Sequence, residues 1–543
     1  MFLHHAGRLL TALLLLSVFA VLASAADWTG QIEVYATHRT VEKCIGYYWL
    51  PENTPKIRGV VVSGKIMHEK KISMDATVRA AAQEKGMAII YFEGAIDSIF
   101  NWADNDCTVR LQGAMAEFAR KSGHPEIVNA PYLTIGHSTA GIYCRNVAYW
   151  WPERVIGVID VKTGNMQQHV YNRDASLVGV PFLAVSGEFE QYGPDGGDLK
   201  LGLRSEFSFE TDKNKKNQTQ WLYFRDQLLA RRGRNQDNLM GIVVDRGGSH
   251  TDWRAGMNEM CAQFIRDAAT LRIPAGDPDG KTLVKCNSIK ATDGWLYDAD
   301  IKDPKFAAAP YNDYKGDKKF ALWLPGKGMA DMVTDYNGKG WNTPDPTKDL
   351  PTDKRYELPA LLRDNVDAPP AQLLCWTAAD GKWTKADAQW LGATPDAVVW
   401  DSNYQALFNG PGGVVTVGEN ISTSGLQLCN GYTLELGKST IGVNGKALLP
   451  PGTTINATYA ADGKNMRGGK ISINGNCFLR SAVVLKFEGD NIPDTFTCTV
   501  VENGNSAYSG HLDGTFTSVT VPTGFTAVAQ DGRVIVTKVK AAL

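Results

Sequence analysis

One serine of this sequence has the surroundings of a nucleophile. Ser138 follows an apolar run and lies within the segment Gly-His-Ser-Thr-Ala-Gly at 136–141. Small residues two before, two after and three after the serine suit a strained turn from a strand into a helix, because the helix must pass close to the strand it leaves. In such a turn the backbone N–H of Thr139 faces the same point as the serine hydroxyl and stabilises a developing oxyanion. The segment departs from the pattern G-x-S-x-G, since Ala140 holds the second glycine position and Gly141 follows it.

Two acids and a histidine follow later apolar runs. Glu188 and Glu190 come after one β-rich run, and His250 comes after the next. The order serine, acid, histidine is the chain order of the α/β-hydrolase triad. A serine hydroxyl is a poor nucleophile until an imidazole takes its proton, and a carboxylate fixes the tautomer of that imidazole. We therefore predict Ser138 as the nucleophile and His250 as the general base.

The sequence leaves the triad acid open. Glu188 and Glu190 would face the same side of an extended segment, so alternation does not separate them. Glu190, three residues after Gly187, holds the position at which this fold usually places its acid, and we favour it. Glu188 is the alternate acid, and Asp160, at the end of the intervening strand, is a third candidate.

Other site residues are expected at the strand ends around the serine. The second oxyanion donor should come from the loop after the strand at 59–63, where either Lys65 or Ile66 can supply the N–H. We also predict a substrate pocket, although its aromatic members would fill a hydrophobic core equally well. The predicted pocket residues are His137, Glu93, Trp102 and Trp253.

Alternating β-rich and helical runs surround these residues from 26 to 274. This alternation is typical of an α/β fold with a mostly parallel sheet flanked by helices. Ligands of such sheets bind at the carboxyl ends of the strands, where the serine, the acids and the histidine all fall. Beside the strand that ends at the serine, we predict strands at 59–63, 87–92, 155–161, 181–185 and 239–245, and helices at 76–85, 109–121 and 254–271.

Length and composition narrow the remaining possibilities. The 543 residues are too many for one ordinary core, so two or three domains are expected. A formal net charge of −2 argues against a protein that binds nucleic acid or a membrane surface electrostatically. The nine cysteines stand singly without the spacing of a metal site, so no metal is predicted, and their pairing stays open.

The first 25 residues have the features of an export signal. His4, His5 and Arg8 precede an apolar run at 9–22, and Ala-Ser-Ala at 23–25 supplies the small residues that a signal peptidase accepts. We therefore predict signal cleavage at 1–25 and a mature chain that is secreted, either periplasmic or extracellular. No later stretch has the length of a membrane span.

Four segments together have the pattern of a known family. They are Gly59-Val60-Val61-Val62 with its polar loop, the serine segment at 136–141, Gly187-Glu188-Phe189-Glu190 and Ser249-His250. With them, residues 27–340 resemble the secreted bacterial α/β-hydrolases related to polyhydroxybutyrate depolymerases and to feruloyl or acetyl esterases. The resemblance implies an α/β-hydrolase fold and hydrolysis of an ester, without a cofactor, through an acyl-enzyme on Ser138.

The composition changes after residue 274. The stretch 275–365 is rich in Asp, Lys, Gly and Pro, which predicts appended strands and a linker. From 366 to 543, short Val, Thr and Ile runs alternate with Gly, Asn and Asp turns, which predicts an all-β domain, either a sandwich or a short β-helix. Residues 375–440 resemble one autotransporter-associated β-strand repeat. The tryptophans at 376, 383, 390 and 400 would serve equally well as platforms for a bound polysaccharide or as the core of a folded spacer.

The sequence as a whole predicts a secreted serine esterase. Export and a β appendage favour a polymer-linked ester, such as acylated plant polysaccharide or polyester. Two alternatives stay open. One is an adhesive or carbohydrate-binding surface protein whose hydrolase domain is inert, and the other is a hydrolase of amides or thioesters, because the triad alone does not select the leaving group.

Overall fold

The computed structural model describes residues 28–35, 44–64, 66–93, 106–163, 177–188, 220–246, 248, 250–254, 256–337, 372–392, 396–437 and 439–444, together with separate strands between 447 and 538. The predicted export signal at 1–25 lies outside these residues, and so does the end of the predicted segment 275–365, from residue 338 onward. Within them, no helix is both long enough and apolar enough to cross a membrane.

The first half of the described chain contains an eight-stranded sheet. Its strands are β1 (Gly30–Val34), β2 (Cys44–Trp49), β3 (Gly59–Ser63), β4 (Met87–Glu93), β5 (Tyr132–His137), β6 (Val155–Val161), β7 (Phe182–Gly187) and β8 (Met240–Asp245). They lie in the order β1-β2-β4-β3-β5-β6-β7-β8. The pairings β1–β2 and β2–β4 are antiparallel, and the rest are parallel. The carboxyl ends of β3 to β8 therefore meet at one edge.

Helices alternate with these strands. They are α1 (Glu69–Met74), α2 (Ala76–Glu84), α3 (Asp106–Ser122), α4 (Gly141–Trp150), α5 (Gln220–Arg234) and α6 (Gly256–Arg272). Every residue of β5, β6, β7 and β8 is buried, so both faces of the sheet are covered, as is usual for parallel sheets. The predicted α/β fold with a mostly parallel sheet is confirmed.

The predicted strands and helices match elements of this sheet, while four elements were not predicted. These are β1, β2, α1 and α5. The sequence of β2 alternates buried and half-buried residues, and so short an antiparallel pattern is a weak signal beside the strongly apolar parallel strands.

A small layer packs beside β8. It consists of β9 (Trp295–Asp298), β10 (Ala309–Pro310), β11 (Ala321–Leu324) and the helix α7 (Lys327–Asn337). The Tyr297 hydroxyl hydrogen-bonds the Ile242 N–H at 2.7 Å and the Ile242 carbonyl at 2.5 Å. A Cβ on Gly241 would lie 2.4 Å from the Trp323 carbonyl oxygen, so the two backbones approach closely. This layer covers the edge strand of the sheet, which would otherwise expose unpaired backbone groups.

The described part beyond residue 371 is built of short β-strands. They are β12 (Leu373–Trp376), β13 (Gly381–Trp383), β14 (Ala388–Leu391), β15 (Ala397–Val399), β16 (Gln405–Phe408), β17 (Val414–Val417), β18 (Ile421–Thr423), β19 (Gly425–Leu428), β20 (Thr433–Gly437), β21 (Thr440–Val443), β22 (Ala447–Leu449), β23 (Thr454–Asp462), β24 (Asn465–Gly468), β25 (Lys470–Ile473), β26 (Cys477–Leu479), β27 (Val484–Glu488), β28 (Thr495–Thr499), β29 (Ser518–Thr520), β30 (Phe525–Gln530) and β31 (Arg533–Lys538). The predicted all-β domain is thereby confirmed.

Most of these strands coil into a parallel β-helix. Successive coils pair strand by strand in parallel: β16, β17 and β18 lie beside β19, β20 and β21, which lie beside β22, β23 and β25. Three sheets therefore run along the coil axis. Of the two architectures expected from the sequence, the structure has the β-helix.

Aromatic side chains fill the first coils. Trp376, Trp383, Trp390 and Phe408 are completely buried, and Trp400 is nearly so. Their rings pack against one another, with centroids 4.6 Å apart for Trp390 and Trp400 and 5.2 Å apart for Trp383 and Trp390. Of the two interpretations of these tryptophans, burial supports the core, because a buried ring offers no platform to a polymer.

The β-helix packs on helix α3 and on the end of β1. Arg110 Nη1 donates to Gln427 Oε1 at 3.0 Å, and the Tyr35 N–H donates to Asn409 Oδ1 at 2.8 Å. A Cβ on Gly113 would lie 2.5 Å from Cys375 Sγ, so glycine lets the helix approach the first coil. Six cysteines of the described residues are buried: Cys44, Cys144, Cys261, Cys286, Cys375 and Cys429.

Candidate active site

Ser138 lies at a sharp turn between β5 and α4. β5 ends at His137, a 3₁₀ turn spans Ser138–Ala140, and α4 begins at Gly141. The φ of Ser138 is +54°, in the left-handed region that non-glycine residues rarely adopt, so the turn is strained. This is the geometry of a nucleophile elbow. Together with the order of the strands it makes the first half of the chain an α/β-hydrolase fold.

Two glycines make the turn possible. A Cβ on Gly136 would lie 2.4 Å from the Ala140 carbonyl oxygen, and a Cβ on Gly141 would lie 1.8 Å from Thr163 Cγ2. The methyl group of Ala140, in contrast, is buried in the core. The departure from G-x-S-x-G therefore has a steric explanation, since the close approach occurs one residue later than in that pattern.

The structure brings His250 to Ser138. His250 lies in the loop between β8 and α6 and is half-buried. Its Nε2 atom is 3.1 Å from Ser138 Oγ, within hydrogen-bond distance, although the two residues are 112 positions apart in the chain. An imidazole at this distance can take the proton of the hydroxyl.

The candidate acids have different surroundings. Glu188 follows β7 directly and is completely buried, and its N–H donates to the Asp245 carbonyl at 3.0 Å. Glu190, the favoured acid, lies outside the described residues. Asp160 is engaged elsewhere, because its Oδ2 is 3.0 Å from Nη1 of the buried Arg145. This ion pair argues against Asp160 as the partner of His250.

A buried lysine joins the ends of β6 and β8. Lys162 Nζ is 3.0 Å from Asp245 Oδ2, and both side chains are completely buried. The same ammonium donates to the backbone carbonyl of Asp252, two residues after His250. Burial raises the pKa of Asp245, and the ammonium of Lys162 opposes that rise. Lys162 therefore ties the loop that carries His250 to the sheet.

Two further histidines, His137 and His68, lie near His250. His137 Nε2 is 3.0 Å from the His250 carbonyl oxygen, and the rings of His137 and His68 are 4.6 Å apart. Burial, reinforced by His250, lowers the pKa of His137 to about 2, and burial with the charge of Lys162 lowers the pKa of His68 to about 4. Both rings are neutral at neutral pH. The His137 ring is completely buried, so it does not line an open pocket as the sequence suggested.

The loop after β3 is held by a buried carboxylate. Glu69 accepts the N–H of Ile66 at 3.0 and 3.1 Å, the N–H of Met67 at 2.8 Å and the N–H of His137 at 2.8 Å. The Ile66 amide, one of two candidates for the second oxyanion donor, is thus directed at Glu69. The other candidate, Lys65, lies outside the described residues.

The remaining predicted pocket residues are spread around this centre. Trp253 is half-buried, stacks on His68 with centroids 5.5 Å apart, and donates from Nε1 to Asn258 Oδ1 at 2.8 Å. Glu93 ends β4 and lies 3.7 Å from Lys70 Nζ. Trp102 lies outside the described residues. Within the part of the chain that the structure describes, no group of His, Cys, Asp and Glu side chains could hold a metal ion.

Sequence reasoning missed Lys162, Glu69 and His68. Lys162 comes directly after the carboxyl end of β6, so the rule that pointed to Ser138 and His250 could have found it. Glu69 and His68 carry no such signal, because their importance depends on the approach of their loop to His137, 68 positions away from Glu69.

Comparison with known proteins gives similarity to solved structures alone. No protein-family model and no curated protein matches the sequence. Poly(aspartic acid) hydrolase-1 from Sphingomonas sp. KT-1 is similar over 44% of this chain and 97% of its own, with 10% identity and a TM-score of 0.29. Est1E from Butyrivibrio proteoclasticus is similar over 45% and 100%, with 12% identity and a TM-score of 0.27. LpqC, a poly(3-hydroxybutyrate) depolymerase from Bordetella parapertussis, is similar over 46% and 92%, with 15% identity and a TM-score of 0.29.

Proposed function

We propose that this chain is a serine hydrolase that cleaves carboxylic esters through an acyl-enzyme on Ser138. The observation that carries the proposal is the 3.1 Å contact between Ser138 Oγ and His250 Nε2 at a strained elbow. A hydroxyl fixed beside an imidazole at the carboxyl end of a parallel sheet is the arrangement that nucleophilic catalysis requires. Glu190 is the proposed acid, with Glu188 as the alternate.

Each step of the reaction assigns a proton to a named atom. Ser138 Oγ attacks the ester carbonyl carbon while His250 Nε2 takes the hydroxyl proton, and the oxyanion that forms is stabilised by the Thr139 N–H and by an amide of the loop after β3. The protonated His250 then gives its proton to the leaving alcohol, and the acyl group stays on the serine. Water, deprotonated by His250, then attacks the acyl carbon, and the acid is released as the protonated His250 returns its proton to Ser138 Oγ.

The acid completes this cycle without taking the proton. A carboxylate beside the other ring nitrogen of His250 holds the reactive tautomer and stabilises the imidazolium that each half-reaction creates. Lys162 supports the same step by fixing Asp252, and thereby the loop of His250, against the end of the sheet.

The proposed substrate is an ester attached to a polymer, such as acylated plant polysaccharide or polyester, encountered after export. The export features of residues 1–25 and the β-helix support this proposal. For the competing function, an adhesive protein with an inert hydrolase domain, Trp376, Trp383, Trp390 and Trp400 offer no exposed platform, because they are buried in the β-helix core.

Turnover of a panel of nitrophenyl acetate, butyrate and octanoate with methyl ferulate tests the proposal. We expect the mature chain to hydrolyse at least one of them, and Ser138→Ala to lose about 10³-fold or more of that activity. A fluorophosphonate should label the wild type at Ser138 and leave the variant unlabelled. Equal activity of the two proteins, or no labelling of the wild type, would overturn the proposal.

A further inference from the structure

Glu69 connects two parts of the site that the sequence keeps apart. Its carboxylate accepts hydrogen bonds from the backbone N–H groups of Ile66 and Met67, in the loop after β3. It also accepts the N–H of His137, the residue that precedes the nucleophile, at 2.8 Å. One side chain thus joins the loop to the nucleophile strand.

The Glu69 carboxylate has no exposed surface. Burial raises its pKa, and the backbone N–H groups around it oppose that rise. A buried carboxylate is costly unless each oxygen is hydrogen-bonded, and here Oε1 faces Ile66 and His137 while Oε2 faces Ile66 and Met67. The geometry leaves neither oxygen free to rotate away without losing a partner.

The two segments that Glu69 joins are the two sources of oxyanion donors in this fold. One donor comes from the residue after the nucleophile and the other from the loop after β3. Donors contribute to the transition state only if they are held near 3 Å from the place where the negative charge develops. The distance between the two segments therefore decides whether both donors reach the developing oxyanion. A carboxylate that is hydrogen-bonded to both segments fixes that distance.

We propose that Glu69 is a positioning residue, which holds the loop after β3 at the distance from the nucleophile elbow that the oxyanion hole requires. This inference rests on the proposed esterase function and adds to it a residue that touches neither substrate nor nucleophile. Glu69 acts through backbone amides, so its loss should weaken transition-state binding and leave ground-state binding nearly unchanged.

Glu69→Gln is the sharpest variant, because it preserves shape. In the variant, an amide NH₂ takes the place of one carboxylate oxygen. This donor then faces a backbone N–H that, in the wild type, donates to the carboxylate. The matched control is Glu126→Gln. Glu126 is also a buried carboxylate that accepts a backbone N–H, from Ile57 at 2.8 Å, but it lies before β5, at the opposite end of the sheet from Ser138.

The experiment measures rate constants per active site, with sites counted by the fluorophosphonate. For Glu69→Gln we expect kcat to fall about ten- to a hundred-fold with KM changed less than about threefold. The inhibition constant of a trifluoromethyl ketone, which forms a tetrahedral oxyanion on the serine, should rise by the same factor as kcat/KM falls. Glu126→Gln should leave all three constants within about twofold of wild type, whatever it does to stability.

Three outcomes separate the possibilities. If Glu69→Gln lowers the number of active sites but keeps wild-type constants per site, Glu69 is merely structural and the inference is wrong. If Glu69→Gln does not fold, Glu69→Asp takes its place, because it keeps the charge on a shorter side chain. This variant should still show the loss in kcat and the rise in the inhibition constant. Wild-type constants for Glu69→Asp would also overturn the inference. A wild type that neither turns over esters nor reacts with the fluorophosphonate would instead refute the proposed function itself.

Discussion

The strand ends around Ser138 and the interior of the β-helix are both buried, but with opposite chemistry. At the strand ends, Glu69 and the pair Lys162–Asp245 are ionisable groups without exposed surface. In the first coils of the β-helix, the buried side chains are packed indole and phenyl rings. Buried charges contribute little net stability, whereas buried aromatic rings contribute much. The comparison indicates that the polar interior fixes positions and the aromatic interior supplies stability.

Backbone strain follows the same division. Four non-glycine residues of the described chain have a left-handed φ: Asn53, Ser138, Lys162 and Asn430. Asparagine tolerates this conformation, so its two examples need no special explanation. Serine and lysine rarely adopt it, and Ser138 and Lys162 both come directly after parallel strands at the site edge. Strain of this kind persists where surrounding contacts hold it in place for function.

Apart from loss of Ser138 itself, the largest effect on activity should come from the triad acid. Glu190→Gln should lower kcat by about 10²- to 10⁴-fold with little change in stability, because the imidazolium loses its carboxylate partner. Glu188→Gln is the paired variant and should have a much smaller effect on kcat. The measurement is kcat and the midpoint of urea unfolding for both variants. The opposite ranking would assign the role to the buried Glu188.

Lys162→Met and Trp383→Ala test the comparison between the two interiors directly. Lys162→Met removes the ion-pair partner of the buried Asp245 carboxylate, and Trp383→Ala leaves a cavity, so each should cost about 3–5 kcal/mol of unfolding free energy. Only Lys162→Met should also lower kcat per active site, because Asp252 loses its anchor beside His250. Loss of kcat per site in Trp383→Ala would contradict the division of roles.

The same pair of charges allows a sharper control. The double variant Lys162→Met with Asp245→Leu removes both charges of the buried pair. We therefore expect it to regain most of the unfolding free energy that Lys162→Met loses. The activity should stay low, because the contact to the Asp252 carbonyl is still missing. Recovery of both properties would mean that Lys162 affects activity through stability alone.

Much of the fold could be predicted because the parallel strands are strongly apolar and end in polar residues. Runs such as Val155–Val161 and Met240–Asp245 stand out from the helical stretches between them. The rule that sites lie at carboxyl ends of strands then led to Ser138 and His250, which the structure places 3.1 Å apart.

The rest depended on contacts between distant segments. Glu69 is an ordinary charged residue in the sequence, and only its approach to His137 gives it importance. The tryptophans near residue 380 were ambiguous for a related reason. An aromatic residue in a short strand fits a core and a binding face equally well until the coils are seen to stack.

Gly141→Ala tests the steric explanation of the elbow, with a smaller expected effect. The added methyl group would lie 1.8 Å from Thr163 Cγ2 and 2.1 Å from Asp160 Oδ1. We expect a loss of about 1–3 kcal/mol in unfolding free energy and a marked loss of activity as the turn shifts. Ala140→Gly, one residue earlier, should cost about 1 kcal/mol or less. Equal effects at the two positions would contradict the assignment of the close approach to Gly141.

The smallest predicted effect concerns acid and the neutral histidines at the site. The pKa of His68 is lowered to about 4, so between pH 6.5 and pH 4 the unfolded chain binds a proton that the folded chain does not. The contribution of this group to stability is therefore fully present at pH 7 and is lost as the pH falls. From pH 7 to pH 5 the loss should be about 2 kcal/mol.

His68→Phe removes the titration and keeps an aromatic ring between His137 and Trp253. Its unfolding free energy, measured in urea, should fall by about 2 kcal/mol less than that of the wild type between pH 7 and pH 5. Trp253→Phe changes the other member of the same stack without removing an ionisable group, and it should keep the wild-type pH response. If His68→Phe is as acid-sensitive as the wild type, burial does not hold the imidazole of His68 neutral. The polar interior of the site would then be more open to water than the aromatic interior of the β-helix.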